Sequence, residues 1–343
     1  MKPDFEAASE RWTRFWQGQR LERPLAGLRI PRPGIEPLPK PKYAPGVSGS
    51  FEEIAESVLK WASSYEYIGD AVPYYYAEFG PDHFSALLGA ELRFHPDSPE
   101  TSWCVPFVKD WDDAYIRFRP DCFWWEQTVE FFHALRRRTD GRMMIAAPTL
   151  SGGLDCLAAI RGVNELLMDI ITVPDKIKRA LDAACNAYKD TLAAVAEELN
   201  YREFGSITRH GMYCRGKTSV PQCDFSCMIS PEMFKDFQVP CIERETELLD
   251  AAEYHLDGPG ALPHLEALCN IDGIDVIQWV AGAGEAAEKN WWDLYEKIDS
   301  LGKGQILWPD NETIKKMCRE FKSSKLFFLP SAKTRKEAEA FLD

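Results

Sequence analysis

The chain has 343 residues, 45% of them hydrophobic and 27% charged, a globular composition that excludes general disorder. Against 40 lysines and arginines stand 54 aspartates and glutamates, a net charge of −14, so no basic face for nucleic acid is available. No apolar run approaches the roughly 20 residues needed to cross a bilayer, so no membrane contact is expected. The start, Met1-Lys2-Pro3-Asp4-Phe5-Glu6, lacks a basic stretch followed by an apolar one, so the expected location is cytoplasmic. The ten cysteines are scattered singly, without a CxxC, and read as mostly reduced and buried.

Residues 1–23 read as an amphipathic lead-in helix with Trp12, Phe15 and Trp16 on its apolar side. The stretch 31–50 carries six prolines and reads as a long loop. A strand–helix alternation then follows. With an initial strand at 25–30, the short apolar runs 71–77, 143–147, 204–209, 252–256, 274–280, 305–308 and 326–329 make eight candidate strands. Ser50 and Glu53 have capping-box spacing ahead of Phe51, Ile54, Val58, Trp61 and Tyr65. After Pro174 one helical stripe carries Ile177, Leu181, Ala184, Tyr188, Leu192, Val195 and Leu199. Ser230-Pro231 is an N-cap with proline at the first helical position, and Thr334 with Glu337 is another capping box. The run Arg136-Arg137-Arg138 suits the last turn of a helix. Eight such units predict a single α/β domain over 1–343, a (β/α)8 TIM barrel with an N-terminal helical extension. An open doubly wound sheet is the alternative.

In a barrel the polar residues at strand ends converge on one mouth. Glu78 follows the second predicted strand, Arg209 and His210 end the fourth, His255 and Asp257 end the fifth, and Gln278 and Trp279 end the sixth. Trp308, Asp310 and Ser331 follow the last two. His255 and Asp257 are two apart on a strand and so face one side, a pairing suited to metal binding or acid–base work, or to a structural hydrogen bond. Gly258 and Gly260 let the chain turn there. The long segment 209–227 adds Cys214, Arg215, Cys223, Asp224 and Cys227. Cys223 and Cys227 have C-x3-C spacing and with His255 could bind zinc, although buried free thiols are the commoner outcome. Asp224 is a candidate substrate contact. Trp124, Trp125, Phe131 and Phe132 read as helix packing, and His264 as structural. Gly282 and Gly284 could open a turn, but the GxGxxG of a dinucleotide site is absent.

The chain resembles the uroporphyrinogen decarboxylase superfamily, which includes corrinoid-linked and coenzyme M methyltransferases. The resemblance lies in stretches 79–89, 154–174, 227–244 and 254–280, including Ile229-Ser230-Pro231-Glu232-Met233-Phe234 and Ile274-Asp275-Val276-Ile277-Gln278-Trp279. It implies a barrel and, in the methyltransferase branch, a zinc site whose histidine matches His255. Asp257 stands where that branch has its first cysteine, and Leu329-Pro330-Ser331-Ala332 lacks the distant one. Leu28-Arg29-Ile30-Pro31-Arg32-Pro33-Gly34 does not match the arginine-rich motif of the decarboxylases. The resulting expectation is a methyltransferase-like enzyme exchanging methyl groups between a small substrate and a corrinoid protein. His255, Asp257, Arg209 and His210 would be catalytic, Glu78, Asp224, Gln278 and Trp279 substrate-binding, and His255, Asp257, Cys223 and Cys227 metal ligands, with zinc as the metal. The alternatives are a decarboxylase-type lyase, in which Arg209 and His210 hold a carboxylate and protonate the product carbanion, and a non-catalytic binding protein.

Overall fold

The computed structural model describes residues 2–43, 47, 49–95, 98–282, 284, 287, 289–308 and 310–342, with side chains throughout except at 98–100 and 311. Parts of the proline-rich stretch (44–46 and 48) and Ala283 of the glycine turn lie outside the described residues.

In chain order the strands are β1 (Leu25–Pro31), β2 (Tyr65–Gly69), β3 (Tyr74–Tyr76), β4 (Glu91–His95), β5 (Ser98–Val105), β6 (Met144–Ala146), β7 (Ser206–Ile207), β8 (Tyr213–Cys214), β9 (Thr218–Ser219), β10 (Ala251–Asp257), β11 (Val276–Val280), β12 (Gly304–Leu307) and β13 (Leu326–Phe328). The central sheet has seven strands in the order β2-β1-β13-β12-β11-β10-β9. All its neighbours are parallel except β2 on β1. Each of the eight predicted strands overlaps an observed one: β1, β3, β6, β7 and β10 to β13.

The predicted closed barrel does not form among the described residues. β3 pairs in parallel with β6 alone, and β7 turns back on β8 as an antiparallel pair. The physical reason is visible in the backbone bonding. Side chains on and just beyond these short strands satisfy groups that a continuous ladder would use. Ser206 Oγ donates to Gly216 O (2.6 Å) and accepts from Thr218 N (2.8 Å). Thr208 Oγ1 accepts from the amides of His210 and Met212, and Tyr74 Oη donates to Arg209 O at 2.8 Å. The architecture is therefore mixed α/β with a mostly parallel central sheet.

The lead-in helix is present as Phe5–Trp16 and packs its aromatic side under one end of that sheet. Trp12 and Phe15 are fully buried against Leu25, Val276, Ile306 and Phe327. Asp70 locks this joint, pairing with Arg11 (2.6 Å) and Arg23 (2.7 Å) and accepting from Ala26 N (2.9 Å).

The 25-residue helix Pro174–Glu198 buries its predicted stripe, including Ile177, Leu181, Ala184, Tyr188, Leu192 and Val195. Ser230 caps its helix by accepting from Met233 N, and Thr334 accepts from Glu337 N. Ser50, by contrast, makes no capping bond. Arg137 and Arg138, in the last turn of Phe123–Thr139, pair with Glu52 across the surface. All ten cysteines are free. Among the described residues no helix is long and apolar enough to cross a membrane.

Candidate functional site

Strand alternation on β10 sorts its residues into two faces. Tyr254 and Leu256 are buried in the apolar cluster beneath the helices. Glu253, His255 and Asp257 share the opposite face. The register of β10 with β11 sets His255 opposite Gln278, and His255 N–H donates to Pro221 O at 3.0 Å, which draws Gln222 alongside. Gly258 then turns the chain away from the strand with φ of +74°, a conformation favourable to glycine.

Asp224 reaches this face from the other side. It opens a single 3-10 turn, Asp224–Met228, whose first amides are held by Asp155: Asp224 N and Phe225 N donate to its carboxylate at 3.0 and 2.9 Å. The ligand atoms of Asp224, His255 and Asp257 all lie within 4.8 Å of one another.

Two features suit the trio to a cation. His255 donates from Nδ1 to Gln278 Oε1, which leaves Nε2 as the lone-pair nitrogen. Gln278 is itself oriented, its amide nitrogen facing Trp279 O at 3.4 Å. Burial, with help from the Arg209 charge, lowers the His255 pKa to about 4, so the ring is neutral at pH 7. Asp224 is exposed at its rim, yet the protein around its carboxyl, together with the Asp155 and Asp257 charges, raises its pKa to about 7. Crowded carboxylates of this kind favour a bound cation.

Arg209 is a bracket between elements. Its Nη1 donates to Thr149 Oγ1 (2.7 Å) and Gln222 Oε1 (2.9 Å), and Gln222 Nε2 in turn donates to Asp224 at 3.3 Å. Thr149 also bonds Tyr76 Oη at 2.8 Å, and Tyr76 bonds Glu78. Burial raises the Glu78 pKa against the pull of Tyr76, Arg209 and Lys40. His210 forms a second dyad, with its Nδ1 on Glu253. Glu253 is fully buried, and its other oxygen has no hydrogen-bond partner among the described residues. Burial alone would raise the Glu253 pKa, but His210 and Arg209 bring it below the usual range. The His210 and His255 rings stack with centroids 6.1 Å apart, and Trp308 meets His210 edge-on at 6.2 Å.

The structure thus brings together Glu78, Arg209, His210, Asp224, His255, Asp257 and Gln278. The long segment after Arg209 carries Asp224 to His255 and contains β8 and β9 as well as loop. Trp279 is a correction: alternation turns it away from Gln278, into the apolar cluster and edge-on to Trp291 at 4.9 Å. Cys223 is another, buried among apolar side chains with its thiol pushed well up by burial. Cys227 is exposed beside Gly260. Among the described residues neither cysteine joins a group of three potential ligands. Sequence reasoning missed Tyr76, Thr149, Asp155, Gln222 and Glu253. Only Glu253 carried a signal, its i, i+2 spacing from His255.

A comparison with solved structures finds the chain similar to a methyltransferase from Methanosarcina mazei, with a TM-score of 0.63 and 12% identity over 98% of this chain and 97% of that one. At that identity the likeness shows the fold. No family model matches the chain, and no curated protein matches it in sequence.

Proposed function

We propose that the protein is a methyltransferase-like enzyme of the uroporphyrinogen decarboxylase superfamily that works with a divalent cation held by Asp224, His255 and Asp257. The observation that carries this reading is the convergence of those three groups within 4.8 Å. Likeness over nearly the whole length to a protein titled a methyltransferase supports it. The donor set, two carboxylates and one neutral imidazole, fits zinc, which accepts carboxylate oxygen, but is harder than a thiolate site. When bound, the cation would supply Lewis-acid polarisation of a substrate heteroatom.

The chain's own residues then have separable roles. Gln278 fixes the His255 tautomer. Arg209 and Gln222 hold Asp224 in place. Transfer of a methyl group breaks its bond to a heteroatom, which must then take up a proton. His210, backed by the buried Glu253 carboxylate, is positioned to hold and deliver that proton. A corrinoid carried on a partner protein as the other station of the methyl group, and a cytoplasmic setting, belong to the same proposal. The decarboxylase alternative needs Arg209 as a carboxylate clamp, whereas Nη1 of its guanidinium is bonded to Thr149 and Gln222.

Elemental analysis of the purified protein, with methyl transfer assayed against a methylated corrinoid protein, tests the reading. The expected result is stoichiometric divalent metal and turnover, both lost in a folded His255→Ala variant. Metal-free protein that binds no added zinc, or turnover indifferent to His255→Ala, would sink it.

A further inference from the structure

His210 also lines a cavity of about 370 Å³. Among the described residues its lining contains no carboxylate, although the chain carries 54 of them, and it contains Arg29 and Lys40. The cations are held by aromatic faces. The Arg29 guanidinium lies 5.3 Å from the Trp61 ring centroid and 4.6 Å from that of Tyr65, and Lys40 Nζ lies 5.4 and 5.9 Å from Tyr75 and Tyr76. Among the described residues Arg29 pairs with no carboxylate. Its neighbour across the β1–β2 ladder is Tyr67, whose buried hydroxyl finds no hydrogen-bond partner among the described residues and which also lines the cavity. The orphaned buried phenol of Tyr67, set beside the solvent-accessible Arg29 guanidinium by strand register, is a donor that lacks an acceptor.

We propose that this cavity binds a small aromatic carboxylate, with its carboxylate on Arg29 and Tyr67 and its ring between aromatic walls. The fork of Arg29 matches a carboxylate, and the phenol adds a third donor. Trp61, Tyr74, Trp308 and Phe327 supply flat apolar walls. The volume lies near the lower end for ligand pockets, so it suits a single substituted ring and not a large multi-ring anion. His210 and Trp308 form the end nearest the His255 ring, so a ligand anchored on Arg29 presents its far end to the metal-ligand cluster. As the substrate subsite of that cluster the cavity depends on the methyl-transfer reading; as a binding site for aromatic carboxylates it stands alone.

Calorimetric titration of the full chain with benzoate and with its neutral isostere benzamide separates the two. Benzoate is expected to bind, benzamide at least about tenfold more weakly, and Arg29→Gln to reduce benzoate affinity by a similar factor. Arg29 is exposed on its strand, so Arg29→Gln should retain the wild-type melting temperature and far-UV spectrum. His255→Ala, which removes a metal ligand, is expected to leave benzoate affinity within about twofold. If it does so while the protein shows no metal and no methyl transfer, only the functional reading fails. Equal binding of benzoate and benzamide overturns the inference. So does no benzoate binding, an Arg29→Gln variant that binds as wild type, or loss of benzoate binding in His255→Ala.

Discussion

Gln278 offers a direct test of the His255 site because it touches the imidazole without being a candidate ligand. It is buried, with 2% of its surface exposed, and its Oε1 accepts the Nδ1 proton of His255. Replacing it with leucine removes that acceptor. The ring can then protonate at either nitrogen and rotate, so the population with Nε2 free and aimed at Asp224 and Asp257 falls. Partners of this kind on metal-bound histidines are worth about 10–100-fold in metal affinity, or roughly 1.4–2.7 kcal/mol. Gln278→Leu should therefore weaken zinc binding by that factor in a competition titration with a coloured chelator at pH 7. Gln278→Glu keeps an acceptor at the same position and should retain binding, since a carboxylate on the outer nitrogen makes the ring a stronger base. Loss of one buried hydrogen bond costs about 1 kcal/mol of stability, so both variants should remain folded. The reasoning is refuted if leucine and glutamate weaken binding equally, because the effect would then be one of packing.

Two further outcomes can be measured, one at the same site and one at a buried histidine away from it. Asp257→Cys puts a soft donor in place of an oxygen and should raise zinc affinity while leaving magnesium binding no better than in wild type, read by parallel titrations; a fall in zinc affinity contradicts the placement of Asp257 among the ligands. His83 is fully buried, accepts from Phe79 N at Nδ1, contacts Thr128 through Nε2, and has its pKa lowered by burial from 6.5 to about 3. Below pH 6.5 the unfolded chain takes up a proton that the folded chain refuses. Stability from this group is thus complete above the unfolded value and is lost as the pH falls. The loss comes to about 2 kcal/mol between pH 8 and pH 5. The stability gap between wild type and His83→Gln in urea melts should narrow by that amount, whereas parallel pH profiles would show that His83 protonates in place.

The strands were readable where both faces are covered. β10 to β13 and β1 are short apolar runs, and each was found within a few residues. β2 escaped because Tyr65-Glu66-Tyr67 is only half-buried and polar, the signature of a strand added at a sheet margin. Closure of the barrel was not readable from any one strand, since it depends on whether neighbouring backbones bond to each other or to side chains such as Ser206 and Thr208. At the site, the two-residue period exposed His255 with Asp257. Applied to Gln278 and Trp279, the same period admits only one of the pair to the mouth. The Tyr76–Thr149–Arg209–Gln222 bracket lies in four separate stretches of sequence, and nothing local marks those residues as partners. The C-x3-C spacing misled because Cys223, just ahead of the 3-10 turn, packs inward while Cys227 within it stays outside.

The charge balance of the mouth yields a last test that does not depend on catalysis. The Asp155 and Asp257 charges act on Asp224, and Arg209, the cation that offsets them there, is bonded to uncharged groups. Burial, with the Asp155 and Asp257 charges added to it, displaces the carboxyl of Asp224 from 3.8 to about 7. An acid raised in this way binds its proton more tightly folded than unfolded. Its contribution is therefore stabilising at low pH and is lost as pH rises towards 7. At pH 8 the metal-free site holds mutually repelling carboxylates, and a divalent cation relieves them. Ligation to the native state alone adds RT ln(1 + [L]/Kd), about 2.7 kcal/mol at a hundredfold excess over Kd. With an unfolding entropy of about 2.1 cal/mol/K per residue, a chain of 343 residues should melt about 4 °C higher in scanning calorimetry. Asp224→Asn removes one of the repelling charges. Without metal at pH 8 it should be at least as stable as wild type, and it should lose most of the rise on adding zinc. A variant that is less stable without metal and still gains the full rise would place the cation elsewhere and leave Asp224 as a structural partner of Gln222.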